Sequence, residues 1–261
     1  MDKIRLTNHI KDIELKNKMF KLIDKANTCL KNYEAKSTEF MNPFEIKNAM
    51  DIINSESDLK YHSDGGYEGA ERSVMTIFPF YMEYEDIEPP IKFVQIDGNF
   101  KFRSVSHKDY LGSILGLGIK REKIGDILIH EEFCQVVVSS DICDYIVMNL
   151  TKVATNSVKV KEIKREELKT SEKKYKDISF TVSSDRLDCV ISGIYNISRQ
   201  ESLKYINAER VHVNYEKITS ASKAVSSGDL ISVRVKGRSE VIEIGGETRK
   251  GRTRVKARII L

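Results

Sequence analysis

Residues 183–238 read SSDRLDCVISGIYNISRQESLKYINAERVHVNYEKITSASKAVSSGDLISVRVKGR. Arg186-Leu187-Asp188 opens a helix with Val190, Ile191 and Ile194 on its apolar side. Ser198-Arg199-Gln200-Glu201 has the pattern of a capping box. In that motif a serine accepts a backbone N–H three residues on and a glutamate reaches back. Leu203 and Ile206 then face inward, and Asn207 ends the second helix. Val211 and Val213 alternate with Arg210 and His212. After the Gly228-Asp229 turn, Ile231, Val233 and Val235 alternate with Ser232, Arg234 and Lys236. That period of two puts a core on one face and a polar, basic surface on the other. Two short helices followed by short strands define a small α+β module.

Downstream, Arg252, Arg254, Lys256 and Arg258 recur at every second residue between Thr253, Val255, Ala257 and Ile259. On one strand these four cations share a face, with about 7 Å between neighbours. They repel one another, and a polyanion lying along them would relieve the repulsion and release counterions. The competing reading is an edge strand protected from aggregation by its charge. Charge division favours the polyanion. Residues 183–261 hold fifteen Lys and Arg against nine Asp and Glu, whereas the remaining residues are slightly acidic and the whole chain is +4.

The chain has 261 residues, 40% of them hydrophobic, which suits two or three small soluble domains. No apolar run approaches the roughly 18–20 residues that cross a bilayer. The charged start, MDKIRLTNHIKDIEL, has no signal core, so a cytoplasmic protein without membrane contact is expected. Cys29, Cys134, Cys143 and Cys189 form no C-x-x-C pair and no metal-ligand cluster with the five scattered histidines. They are expected to be reduced, buried thiols, with no metal and no cofactor.

Residues 1–59 are expected to form an N-terminal helical region. Ile13, Met19, Phe20, Ile23 and Leu30 lie at helical spacing, and a second helix starts at Asn42-Pro43. Residues 60–165 are expected to form a central α+β domain that follows the Gly65-Gly66 loop. Its strands are Val74–Phe80, Ile91–Ile96, Phe100–Arg103, Ile127–His130, Cys134–Val138 and Val158–Ile163. Its helices start at a capping box on Ser106 and at Ser140 or Asp141. Asp97-Gly98-Asn99 is a hairpin signal. Residues 166–182 are charge-dense and expected to be a linker before the module at 183–261.

Arg186-Leu187-Asp188, Ser198-Arg199, Ile206, Val211-x-Val213-Asn214, Gly228-Asp229-x-Ile231 and Arg234 resemble the S4 RNA-binding domain in order and spacing. Tyr215 departs from it, standing where that family usually has glycine after Asn214. A longer local hairpin is therefore expected. Further matches lie upstream: Thr38-Glu39-Phe40, Asn42-Pro43, Gly65-Gly66-Tyr67, Ala70-Glu71-Arg72, Asp109-Tyr110-Leu111-Gly112, Gly116-Leu117-Gly118 and Gly125-Asp126-Ile127. Together they make nearly the whole chain similar to the bacterial YlmH family, which is encoded near division genes in Gram-positive bacteria. The resemblance implies a helical N-terminal part, a central RRM-like domain and a C-terminal S4 domain. It also implies association with the large ribosomal subunit in the rescue of stalled translation. Lys108 stands where that family tends to have arginine.

The expected function is non-enzymatic binding of structured RNA, rRNA or tRNA, with no small-molecule substrate. The expected contacts are Arg186, Ser198, Arg199, Lys204, Arg210, Lys217, Lys223, Arg234, Lys236, Arg238, Arg249, Lys250, Arg252 and Arg254. Arginine offers phosphate a bidentate fork and lysine a point charge. Arg72, Lys108, Lys120, Arg121 and Lys123 are candidates for a secondary contact. One rival is a protein-interaction adaptor in cell division. Another is an RNA-modifying enzyme, because Arg186-Leu187-Asp188 resembles the nucleophile motif of pseudouridine synthases. Only 73 residues follow Asp188, too few for such a catalytic domain. The central domain also lacks the aromatic run with which an RRM sheet stacks bases.

Overall fold

In the computed structural model, which describes residues 1–100, 105–170, 174–249 and 251–260, a short helix α1 (Lys3–Thr7) leads into the long α2 (Ile13–Asn32). The buried stripe of α2 is Leu15, Met19, Leu22, Ile23, Ala26 and Cys29. Of the expected inward residues, Met19 and Ile23 belong to it and Phe20 and Leu30 flank it, but Ile13 is exposed. Ile13 is the first residue of the helix and lies off the stripe, which begins at Leu15. After β1 (Lys36–Ser37), α3 (Pro43–Ile53) starts at Asn42. The Asn42 side chain accepts from the Glu45 N–H, and the Glu45 carboxylate accepts from the Asn42 N–H, both at 2.9 Å.

The helices pack on an antiparallel sheet of β1, β2 (Leu59–Asp64) and β3 (Val74–Pro79), in the order β1-β3-β2. The central strand β3 is buried along its whole length. Its Met75 and Ile77 join the helices in one core, while Val74 joins Phe40, Ile91, Phe93, Val137 and Ile163 in another. That second core ties the N-terminal layer to the central sheet. The chain divides into two compact units, residues 1–171 and 172–261.

The central sheet comprises β4 (Ile91–Gly98), β5 (Ile124–Ile129), β6 (Phe133–Ser139), β7 (Lys152–Val153) and β8 (Asn156–Ile163). Helix α4 (His107–Leu115) follows β4 and α5 (Cys143–Asn149) follows β6. The order β5-β6-β4-β8-β7 with this β-α-β-β-α-β sequence is the ferredoxin-like arrangement of an RRM. Ser106 and Asp109 form the expected capping box of α4. Helix α5 begins after a 3-10 turn at Ser140–Ile142 and has no side-chain cap, so neither Ser140 nor Asp141 caps it. Most of the strand expected at Phe100–Arg103 lies outside the described residues.

Helices cover one face of this sheet. On the other, where an RRM stacks bases, the chain covers itself. Gln135 donates to the Glu167 carbonyl at 3.0 Å and accepts from the Lys169 N–H at 2.8 Å. Arg165 lies 5.2 Å over the Phe93 ring. Arg165 is held there by Asp64, a buried carboxylate that also accepts from the Gly66 N–H and the Tyr84 hydroxyl. Burial alone would raise the Asp64 pKa, but these bonds, that of Arg165 foremost, outweigh it and leave the pKa lowered.

The second unit begins inside the expected linker. β9 (Tyr175–Val182) pairs along its full length with β14 (Thr253–Ile260). Between them in sequence come α6 (Leu187–Tyr195), α7 (Arg199–Asn207), β10 (Val211–Val213), β11 (Glu216–Lys217), β12 (Leu230–Val233) and β13 (Gly237–Glu247). The antiparallel order is β11-β10-β12-β13-β14-β9, so the cationic strand β14 is interior to the sheet and is not an edge. One core joins α6 and α7 to the inward face: Leu187, Val190, Ile191, Ile206, Val211, Ile231, Val241, Val255 and Ala257. The hairpin at Asn214-Tyr215 is the tight two-residue form, because Val213 pairs with Glu216 and both turn residues have positive φ. The longer hairpin expected from Tyr215 does not form. The Arg238 guanidinium donates to the Tyr215 hydroxyl at 3.0 Å and lies over the ring, holding the strained residue.

Candidate nucleic-acid interface

The helical side of the second unit is organised around one buried carboxylate. Asp188 is 1% exposed and sits in the first turn of α6. Its Oδ1 accepts from Arg186 Nε at 3.1 Å. Its Oδ2 accepts from Arg199 Nε at 3.2 Å and Nη2 at 2.6 Å. Burial raises the pKa of a carboxyl, but here the hydrogen bonds from Arg199 and then Arg186 prevail and hold it below the ordinary aspartate value. Arg186 and Arg199 remain about half exposed, so each guanidinium is fixed on its inner edge and open on its outer edge. The loop after β11 adds Lys223, whose carbonyl accepts from the Leu187 N–H at 2.9 Å. Two guanidinium groups thereby meet at the N-terminal ends of α6 and α7, with the Lys223 backbone packed against the first turn of α6. That arrangement suits phosphate, since a guanidinium fork offers it two parallel N–H donors.

Ser198 acts as a cap: its Oγ accepts from the Glu201 N–H at 3.1 Å. The return half of the expected capping box is replaced, because the Glu201 carboxylate lies 3.4 Å from Lys236. Lys236 also lies 5.9 Å over the Tyr205 ring, which draws the β12–β13 turn to α7. Arg234 is tied alongside by its N–H bond to the Arg210 carbonyl. Lys217 pairs with Glu209 at 3.1 Å. Among the described residues, Lys204, Arg210, Lys223, Arg234, Arg249 and Arg254 have no ion-pair partner.

The outer face of β14 is more balanced than its sequence implies. Arg254, Lys256 and Arg258 share that face, but Arg258 bonds Asp177 on β9 at 2.9 Å and Lys256 pairs with Glu243 on β13 at 2.8 Å. Arg252, in the turn before β14, donates to the Thr181 carbonyl and hydroxyl. The antiparallel register brings those acids opposite the cations, and the alternation within a single strand does not reveal them. Arg249 lies exposed on the same turn, while Lys250 falls outside the described residues.

In the first unit, Arg72 and Arg121 do structural work. Arg72 Nε donates to the Ile124 carbonyl at 3.0 Å and Nη2 to the Phe40 carbonyl at 2.9 Å. Arg121 donates to the same Ile124 carbonyl, and burial followed by the charge of Arg72 lowers its pKa. Lys123 pairs with Asp141 at 2.7 Å, and Lys108 and Lys120 are exposed. Both guanidinium groups thus satisfy the Ile124 carbonyl at the start of β5, a backbone acceptor that burial would otherwise leave unpaired.

Two family models match the chain: "YlmH, N-terminal" over residues 14–82 and "Putative RNA-binding domain in YlmH" over residues 84–167. A curated relative, the "Ribosome-associated protein quality control protein P2" of Bacillus subtilis (strain 168), is 32% identical over 223 residues, covering 85% of this chain and 86% of the relative. Among solved structures, the "Cell division protein ylmH from Streptococcus pneumoniae" superposes with a TM-score of 0.50 at 25% identity. That match covers 60% of this chain and 94% of the other.

Proposed function

The chain belongs to the YlmH family, and from that membership we propose that it is a ribosome-associated RNA-binding protein acting in quality control of stalled translation. Its ligand is structured RNA of the large subunit or its bound tRNA, gripped by an S4-type C-terminal unit. The observation that carries the reading is the pair Arg186 and Arg199, oriented by one buried carboxylate on a unit that also carries the exposed Lys204, Arg210 and Arg234. Such an arrangement is fixed in advance and aims cations outward, so little side-chain order is lost on binding phosphate. No catalytic step is assigned. Asp188, the residue that the synthase-like motif singles out, is buried and saturated by two arginines.

The test is binding of the full chain to large ribosomal subunits as a function of salt. The combined variant Lys204→Ala, Arg210→Ala, Arg234→Ala removes three cations that have no internal partner, so the fold is expected to hold. It should flatten the log–log salt slope by about 2 to 3. An unchanged slope would reject this contact face. The Streptococcus relative is named as a cell division protein, which supports a second reading, a division adaptor. RNase-insensitive retention of the chain on a division protein would favour it.

A further inference from the structure

The turn joining β12 to β13 is built against its own backbone preference. The Lys236 N–H donates to the Val233 carbonyl at 3.0 Å, making a β-turn whose third residue, Val235, has φ +78°. Turns with positive φ at that position favour glycine or asparagine, and a β-branched residue there is a steric outlier. Val235 is also 82% exposed, so its isopropyl group gains nothing from the core to offset the strain. The other described non-glycine residues with positive φ are Tyr33, Ala154, Asn196, Glu209, Asn214 and Tyr215, none of them β-branched.

The tip is held firmly. The Arg234 N–H donates to the Arg210 carbonyl at 2.9 Å, Val233 pairs with Gly237 across the hairpin, and Lys236 is drawn to Glu201 and Tyr205. An apolar side chain held outward at a cost, between two exposed cations, implies a contact outside the chain. We propose that Val235 is an RNA-contacting wedge. Its isopropyl group packs against ribose and base edges in the shallow groove of a folded RNA, while Arg234 takes the neighbouring phosphate and Lys236 keeps the tip on α7. A-form RNA presents a groove wide enough for such a tip, and apolar wedges between cations are an established way of gripping a nucleic acid groove. The inference rests on RNA being the ligand of this unit.

The test uses the full chain, Bacillus subtilis large ribosomal subunits as the probe, and thermal melts in parallel. Val235→Gly should melt at or above the wild-type temperature, because glycine accepts the positive φ. It should bind at least fivefold more weakly with an unchanged salt slope, because no charge is removed. Val235→Leu should bind within twofold of wild type. If Val235→Gly binds within twofold of wild type while the triple cation variant is weakened, the wedge is wrong and the RNA reading stands. A lowered melting temperature for Val235→Gly would overturn the strain argument. A full chain that fails to bind subunits overturns both the wedge and the RNA reading.

Discussion

At the scale of single residues, the second unit depends on where carboxylates sit relative to its cations. Asp188 is buried with two arginines on it, so removing its charge leaves both guanidinium groups without their inner partner. Asp188→Asn should destabilise the unit by about 2 kcal/mol, the range for hydrogen bonds to charged groups. Because the Asp188 pKa is lowered on folding, its contribution is full above the ordinary aspartate value near 4 and is lost as pH falls through the depressed folded value. Denaturation between pH 5 and pH 2 should therefore show a shallower acid loss in Asp188→Asn than in wild type. Asp64 retains its own share in the first unit. An equal loss in both proteins would show that Asp188 is not coupled to folding in this way. The motif Arg186-Leu187-Asp188 was legible in the sequence. The role of Asp188 as the anchor of Arg199, eleven positions on, required α7 to fold back on α6.

At the scale of elements, short helices and capped starts were readable because their signals are local. Asn42-Pro43, Ser106 with Asp109, and Ser198 each open a helix where expected. Strand β9 was not readable: KKYKDISF lacks a clean apolar alternation, and its partner lies about seventy residues later. Its Phe180 packs against Gly193 on α6, where a Cβ would run into the ring. Gly193→Ala should cost about 1–3 kcal/mol by overpacking, measured by denaturant melts, and Phe180→Ala should recover part of that loss in the double variant. Additive losses would show that the two residues do not share the contact.

At the scale of the whole molecule, the two units predict a division of labour. A fragment spanning 172–261 should fold and keep the salt-dependent RNA affinity of the full chain, whereas 1–171 alone should lose most of it. A fragment starting at 183 lacks β9, exposes the edge of β14 and frees Arg252 and Arg258 from their partners, so it should melt well below the 172–261 fragment. Circular dichroism melts and subunit sedimentation of the three pieces check this, and equal melting of the two C-terminal pieces would refute the role given to β9. Helix starts, the C-terminal excess of cations and the motif order of the α6–α7 module can be read from the residues alone, because capping, charge and periodicity are properties of neighbouring residues. Which cations stay free is settled by the folded chain. Pairing across strands and packing between helices set Asp177, Glu243 and Asp188 against particular bases. The same long-range contacts tie Arg72 and Arg121 to backbone carbonyls and close the central sheet's open face, and no local pattern encodes them.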